Sequence, residues 1–208
     1  MINHPNTPAG TAGYAEAADV LVAQYESVSF AEVHRDVLHL FPSPPSDILD
    51  IGAGSGRDAA ALAASGHRVT AVEPTAELRS LGRRIHADQA IEWVDDSLPE
   101  LAVLRSRGRR FHLVLMTAVW MHLDDRERTS AMAGIADLLG VGGFVVLSLR
   151  HGPVPAGRRM FDVTPEETVR LARRHGLARV HLGERADPHG RSGVHWSYLG
   201  LRKETVTG

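Results

Sequence analysis

Asp50-Ile51-Gly52-Ala53-Gly54-Ser55-Gly56 joins a run of apolar residues, 47–51, that reads as a strand to residues 57–65, which carry the spacing of a helix. A tight turn needs one or two glycines, and three at alternate positions exceed that need. Glycines here permit positive φ and let a ligand touch the backbone, while the start of the following helix offers free N–H groups to an anion. A nucleotide-like cofactor is implied. The dinucleotide fingerprint G-x-G-x-x-G is not met, because the third glycine comes one residue early and Arg57 stands where Gly or Ala is needed. Asp50, at the end of the strand, would repel a pyrophosphate but suits a ligand carrying an ammonium group. Glu73 closes the next strand in Ala71-Val72-Glu73-Pro74, where an acid can accept both hydroxyls of a ribose.

Around this loop short apolar runs alternate with longer helical ones. The spacing predicts strands over 47–51, 68–72, 91–94, 111–116 and 143–149, and helices over 57–65, 75–86, 98–104 and 125–139. Apolar residues fall on consecutive strand positions, as they do where helices cover both faces of a sheet. The fold class is therefore α/β, with a mainly parallel, doubly wound sheet. The last third differs. Residues 151–161 form a Gly/Pro/Arg loop; Thr164 opens a helix with Pro165 in its first turn and Glu167 as its capping-box partner, and Gly176 closes it. Runs 178–185 and 194–201 follow with no helix between them and read as an antiparallel hairpin. Ahead of the sheet, Val20, Leu21, Tyr25, Val33, Val37 and Leu40 recur at three- and four-residue steps, the pattern of one or two amphipathic helices before the Pro42/Pro44/Pro45 break.

With 208 residues the chain has room for one domain and not for two catalytic ones. An apolar content of 43% and a charged content of 23% rule out a disordered chain. A net charge of -2 provides no general field for phosphate backbones or anionic lipid, so neither nucleic acid nor membrane is expected as a partner. The absence of cysteine excludes disulfides, thiolate metal sites and Cys nucleophiles. Lys203, the one lysine, stands near the end of the sequence, which argues against Schiff-base chemistry on a buried amine. No stretch approaches the roughly 20 apolar residues of a membrane span, and a cytoplasmic protein is expected.

The glycine motif, matched without substitution, resembles that of class I S-adenosylmethionine-dependent methyltransferases, and the likeness runs from about residue 47 to residue 201. It implies a Rossmann-like seven-stranded sheet of order 3-2-1-4-5-7-6, with strand 7 antiparallel and helices on both faces. It implies one domain over 1–208, with 1–45 as a helical lid and 46–202 as the cofactor-binding core. Asp50, Gly52, Ala53, Gly54 and Gly56 would then line the methionine part of S-adenosylmethionine, with Arg57 and Asp58 beside it. Glu73 would hold the ribose and Pro74 would pack by the adenine. Asp96 and Ser97, followed by Leu98, would meet the adenine edge, and Thr117 at the exit of the fourth strand would complete the site. The product would be S-adenosylhomocysteine. That exit, Met116-Thr117-Ala118-Val119-Trp120-Met121-His122, lacks the Asn/Asp-Pro-Pro-aromatic loop of members that methylate nucleobase amino groups and is similar to small-molecule members. His112 stands where the family commonly has Asp, far from the cofactor edge, and a local hydrogen bond is expected of it.

Methyl transfer from a sulfonium is an in-line displacement for which a base is optional. His122 is the first candidate base and His151, on the same rim, the second; for both, a structural role weighs about equally. Tyr25, Phe30 and His34 on the leading helices are candidates for ligand contact, although aromatics at such spacing usually belong to a core. Arg158 and Arg159 form either a solvated pair or a seat for an acidic acceptor, and Trp196 reads as packing against a helix. Asp124 and Asp125 read as the cap and first turn of a helix, and no metal is expected. The expected reaction is transfer to oxygen or nitrogen of a small molecule. The rivals are a non-catalytic cofactor-binding module, an NAD-dependent enzyme and a protein or RNA methyltransferase. Monomer and homodimer both stay open.

Overall fold

The computed structural model describes residues 8–205. Its centre is a seven-stranded sheet of order β3-β2-β1-β4-β5-β7-β6. The strands are β1 (Asp47–Ile51), β2 (Arg68–Val72), β3 (Ile91–Val94), β4 (Phe111–Met116), β5 (Leu139–His151), β6 (Leu177–Ala186) and β7 (His195–Lys203). The first five run parallel, and β7 pairs antiparallel with both β5 and β6. This is the order that the family resemblance implied and the hairpin that the spacing predicted.

The helices are α1 (Ala18–Glu26), α2 (Phe30–His34), α3 (Arg57–Ala64), α4 (Ala76–Ile85), α5 (Ala102–Ser106), α6 (Asp125–Leu138) and α7 (Pro165–Arg173). Alternate residues of each central strand enter different cores. Leu49, Ile51, Val114 and Met116 pack with Met132 and Ile135 of α6 and Val169 of α7, whereas Ile48, Leu113 and Leu115 pack with Leu62 of α3 and with Val37 and Leu40. Double-faced burial is why these strands read as continuous apolar runs.

Three local readings are corrected. The helix expected over 98–104 begins at Ala102, after Leu101 in the left-handed region at φ 46°, and the Asp96 carboxylate caps it by accepting from the Leu104 amide at 2.9 Å. Strand β5 starts at Leu139 and not at 143, because a bulge around Gly140, Gly142 and Gly143 carries the chain from α6 directly into pairing with Phe111. At α7 the Thr164 hydroxyl accepts from the Glu167 amide, but the Glu167 carboxylate pairs with Arg128 at 2.8 Å and does not return to Thr164. The reciprocal box forms instead at α6, between Asp124 and Glu127. His112 Nδ1 accepts from the Asp47 amide at 3.3 Å, the local role expected of it.

The leading segment is tied to the sheet by charge-assisted bonds. His34 on α2 meets Asp58 on α3 at 2.9 Å, and Arg57 donates to the carbonyl of Tyr25 at the end of α1. Arg185 of β6 donates to the carbonyls of Glu32 and Val33, satisfying the end of α2, and to the Tyr198 hydroxyl. Ala18 and Val22 of α1 pack on Leu78 of α4. No helix among the described residues is long and apolar enough to cross a membrane.

Asp58 and His34 are 4% and 1% exposed, so removing one partner strands a buried polar group. Asp58→Ala should lower unfolding stability by about 3–5 kcal/mol in urea titration. A loss below about 1 kcal/mol would contradict this account of how the leading segment is held.

Candidate functional site

The carboxyl ends of β1, β2, β4 and β5 open onto one cavity of about 1030 Å³, at the upper end of the roughly 300–1,000 Å³ usual for small-molecule sites. Its wall is completed by Tyr14, Leu21 and Tyr25 of the leading segment and by the loops after β3 and β5. Of the fourteen residues read as cofactor-binding in the sequence, thirteen lie on this wall; Gly56 does not, its Cα facing the Trp93 ring, which a Cβ there would meet at 2.7 Å.

The glycine loop takes the shape its composition allows. Gly52, Gly54 and Gly56 have φ of +69°, +59° and +84°. A Cβ on Gly54 would come within 3.2 Å of the Tyr25 ring, so glycine lets the tyrosine close against the loop. Glu73, 4% exposed, spans the loop from below: one oxygen accepts from the Gly54 amide and the other from the Thr75 amide, each at 2.8 Å. Burial raises its pKa, and these two amides oppose the rise. Each carboxylate oxygen retains capacity for a second hydrogen bond. Ala53 and Pro74 line the same wall.

Asp50 is 1% exposed and its Oδ2 has no hydrogen-bond partner among the described residues. Burial, reinforced by the negative charge of Asp58 and opposed by Arg57, holds its pKa well above the ordinary carboxylate value. Asp58 is in the opposite condition. Its burial alone would raise the pKa, but His34 and Arg57 hold it far below the usual range. Its oxygens accept from Arg57 Nε at 2.7 Å and from the Thr117 hydroxyl at 2.8 Å and meet His34 Nε2 at 2.9 Å. Asp58 and Thr117, read as ligand contacts, thus first serve each other, joining α2, α3 and the exit of β4.

The loop after β3 departs from its reading in a similar way. Asp96 accepts from the amide of Ser97 at 2.9 Å as well as from Leu104, so carboxylate and amide are engaged with one another, while Leu98 lines the wall beside them. At the exit of β4, Ala118 sits at φ +60°, a conformation costing a non-glycine residue about 1–3 kcal/mol. Its amide is held by the buried Ser148 hydroxyl at 3.0 Å.

His122 is buried on the cavity wall, and both ring nitrogens are engaged. Nδ1 lies 2.6 Å from the Arg159 carbonyl, which can only accept, so Nδ1 carries the proton. The bare Nε2 therefore accepts from the Tyr14 hydroxyl at 3.0 Å. Burial lowers the His122 pKa below 6.5, against the raising effect of the Arg159 carbonyl. The basic nitrogen thus faces Tyr14 and not open cavity. His151 is corrected outright as a candidate base. It does not line the large cavity; its ring stacks on His195 at 4.6 Å and Nε2 meets the Ser197 hydroxyl at 2.8 Å.

Of the leading aromatics Tyr25 reaches the cavity, whereas Phe30 and His34 cluster with Phe41 away from it. Arg159 is a structural residue, bonded to Asp124, Glu127 and the His122 carbonyl. Arg158 lies on the wall with its guanidinium 3.9 Å from the centroid of the Tyr14 ring. Trp196 also lines the cavity, its Nε1–H donating to Asp187. The sequence reading missed Tyr14 and Arg150 on this wall. Tyr14 precedes the periodic run and Arg150 sits at the end of a strand, so no spacing marked either one.

The sheet order is the one that the resemblance to class I S-adenosylmethionine-dependent methyltransferases implied, with Asp50 and Glu73 both on the cavity wall by the glycine loop. Residues 48–143, somewhat under half of the chain, match the family model described as a methyltransferase domain. A demethylmenaquinone methyltransferase of Clavibacter sepedonicus is 31% identical over 146 residues, which are 66% of this chain and 56% of that relative. The chain thus spans little more than half the length of that curated relative. The 1,6-didemethyltoxoflavin-N1-methyltransferase of Burkholderia thailandensis, crystallised with 1,6-didemethyltoxoflavin and S-adenosylhomocysteine, superposes with a TM-score of 0.63 at 24% identity, over 98% of this chain and 94% of that one. Magnesium protoporphyrin IX methyltransferase of Synechocystis PCC 6803, with bound S-adenosylmethionine, gives 0.63 at 15% identity over 92% and 80%.

The His122 arrangement has a spectroscopic signature. Nitrogen-15 NMR of the ring should show a neutral, Nδ1-protonated imidazole at pH 7 whose titration midpoint lies below 6.5, because burial disfavours the cation. An Nε2-protonated tautomer, or a midpoint at or above 6.5, would contradict the geometry.

Proposed function

We propose that this chain binds S-adenosylmethionine and transfers its methyl group to oxygen or nitrogen of a small molecule. The observation that carries the reading is the Asp50 carboxylate, buried on the cavity wall beneath the glycine loop with one oxygen unpartnered. A buried carboxylate without a partner is costly, and an ammonium group beside it relieves that cost. The amino group of the methionine moiety fits this need, and Arg57 on the same wall offers a cation for the carboxylate of that moiety. Glu73 suits the ribose hydroxyls, and Tyr25 closes over the glycine loop at Gly54. A nicotinamide dinucleotide fits less well, since its pyrophosphate would face Asp50.

When bound, S-adenosylmethionine supplies an electrophilic methyl carbon, and the methyl–sulfur bond breaks to leave the neutral thioether of S-adenosylhomocysteine. The chain's part is to seat the acceptor, exclude water and take up one proton. In this reading the leading segment is a lid, of whose 1–45 the described part, 8–45, covers the cavity while 1–7 lie outside the described residues, and the core is 46–202. His122 acts through Tyr14: the phenol passes its proton to Nε2 as it receives the acceptor's proton, leaving an imidazolium held by the Arg159 carbonyl. An oxygen or nitrogen becomes strongly acidic as it is alkylated, so a weakly basic imidazole suffices. The relatives that act on small molecules support this choice of acceptor class.

Titration calorimetry with S-adenosylhomocysteine tests the cofactor assignment. The wild type should show one saturable site. Gly54→Arg, whose side chain would clash with Tyr25 and crowd the loop, and Glu73→Ala, which frees the loop, should each weaken binding at least about tenfold. Equal binding by all three proteins would remove the assignment.

A further inference from the structure

The cavity wall carries both acids and arginines. Among the described residues the acids on it without a basic partner within ion-pair distance are Asp50, Glu73, Asp96 and Glu100, on the glycine loop's side of β1 and β2 and on the loop after β3. Near Tyr14 and His122 most of the charge is matched. Arg191 pairs with Asp187 at 2.7 Å, and Glu127 pairs with Arg159 at 2.7 Å. Two arginines remain. Arg150, next to last in β5, donates one bond to the Pro153 carbonyl, while its Nε is buried without a partner. Arg158 donates one bond to the Ala12 carbonyl and lays its guanidinium on the Tyr14 ring. Among the described residues neither forms a salt bridge.

A guanidinium has five N–H donors in a planar fork that matches a carboxylate. Arg150 and Arg158 both lie near enough to Tyr14 to act on its hydroxyl, and each, half-buried with a single carbonyl acceptor, leaves donors unused. Burial and the charge of Arg191 lower the pKa of Arg150, against the raising effect of Asp187. The surfaces around them, Met160, Met121 and Trp196, are apolar. On the reading proposed above, this half of the cavity is where the acceptor sits.

We infer that the methyl acceptor is a small carboxylic acid with an apolar body, its carboxylate held by Arg150 and Arg158 beside the Tyr14–His122 pair. This narrows the acceptor class and rests on the cofactor reading. Arg57, paired with Asp58 on the far side of the glycine loop, is left to the cofactor's own carboxylate.

The experiment uses the full chain saturated with S-adenosylhomocysteine and two probes, 4-hydroxybenzoate and its neutral analogue 4-hydroxybenzamide, with binding read by saturation-transfer NMR. The acid should bind at least about tenfold more tightly than the amide. Arg150→Met and Arg158→Met should each abolish that preference, Arg158→Lys should keep part of it, and S-adenosylhomocysteine affinity should hold in every variant, which also reports folding. Equal binding of the two probes, or binding of neither, overturns the inference. Weakened S-adenosylhomocysteine binding in the Met variants overturns it too, because the arginines would then serve the cofactor's carboxylate. Failure of the wild type to bind S-adenosylhomocysteine would instead sink the cofactor reading on which it rests.

Discussion

A carboxylate at the end of β1, sealed from water with one oxygen unpartnered, sets the terms for everything around it. Desolvation of such a group costs several kcal/mol, and a chain can hold it only where the surrounding charges are fixed. Asp58 lies near enough to raise the Asp50 pKa and Arg57 near enough to oppose that effect. Asp58 keeps its own charge because His34 and Arg57 both address it. One acid is thus satisfied by the protein, and its neighbour is left for a ligand.

The same bonds position the leading segment. His34 draws α2 onto α3, Arg57 holds the end of α1, and Arg185 secures the other end of α2 to the hairpin. With both short helices fixed, Tyr25 stands over Gly54, and Tyr14 reaches His122 across the mouth of the cavity. Apolar packing of Ala18 and Val22 on Leu78 and these polar contacts together fasten the segment. The result is a cavity whose wall carries both unpaired acids and arginines.

Much of this was legible in the sequence, for physical reasons that differ by element. Strands β1 to β4 begin and end where the sequence reading put them, because Gly52, Glu73 and Asp95 stop the first three apolar runs and Thr117 the fourth. Strand β5 escaped because glycines at 140–143 read as a break, whereas they form a bulge within pairing. The glycine loop and Glu73 were legible since their roles are set by neighbours a few residues away in sequence or register. Asp58, Asp96 and Thr117 were placed near the site but not in their partnerships, which depend on side chains brought together by the fold. Tyr14 and Arg150 carried no periodic signal, and His151 was misplaced because the strand pairing that stacks it on His195 has no mark in the local sequence.

Proton linkage tests the central claim, that Asp50 awaits a cation, most directly. Burial favours the neutral carboxyl in the empty site, and an arriving ammonium group favours the anion, so binding should expel a proton. Calorimetry of S-adenosylhomocysteine binding near pH 6, repeated in buffers of different ionisation enthalpy, measures that proton. The account predicts net proton release by the wild type and its loss in Asp50→Asn. No release by the wild type, or the same release in both proteins, would contradict it.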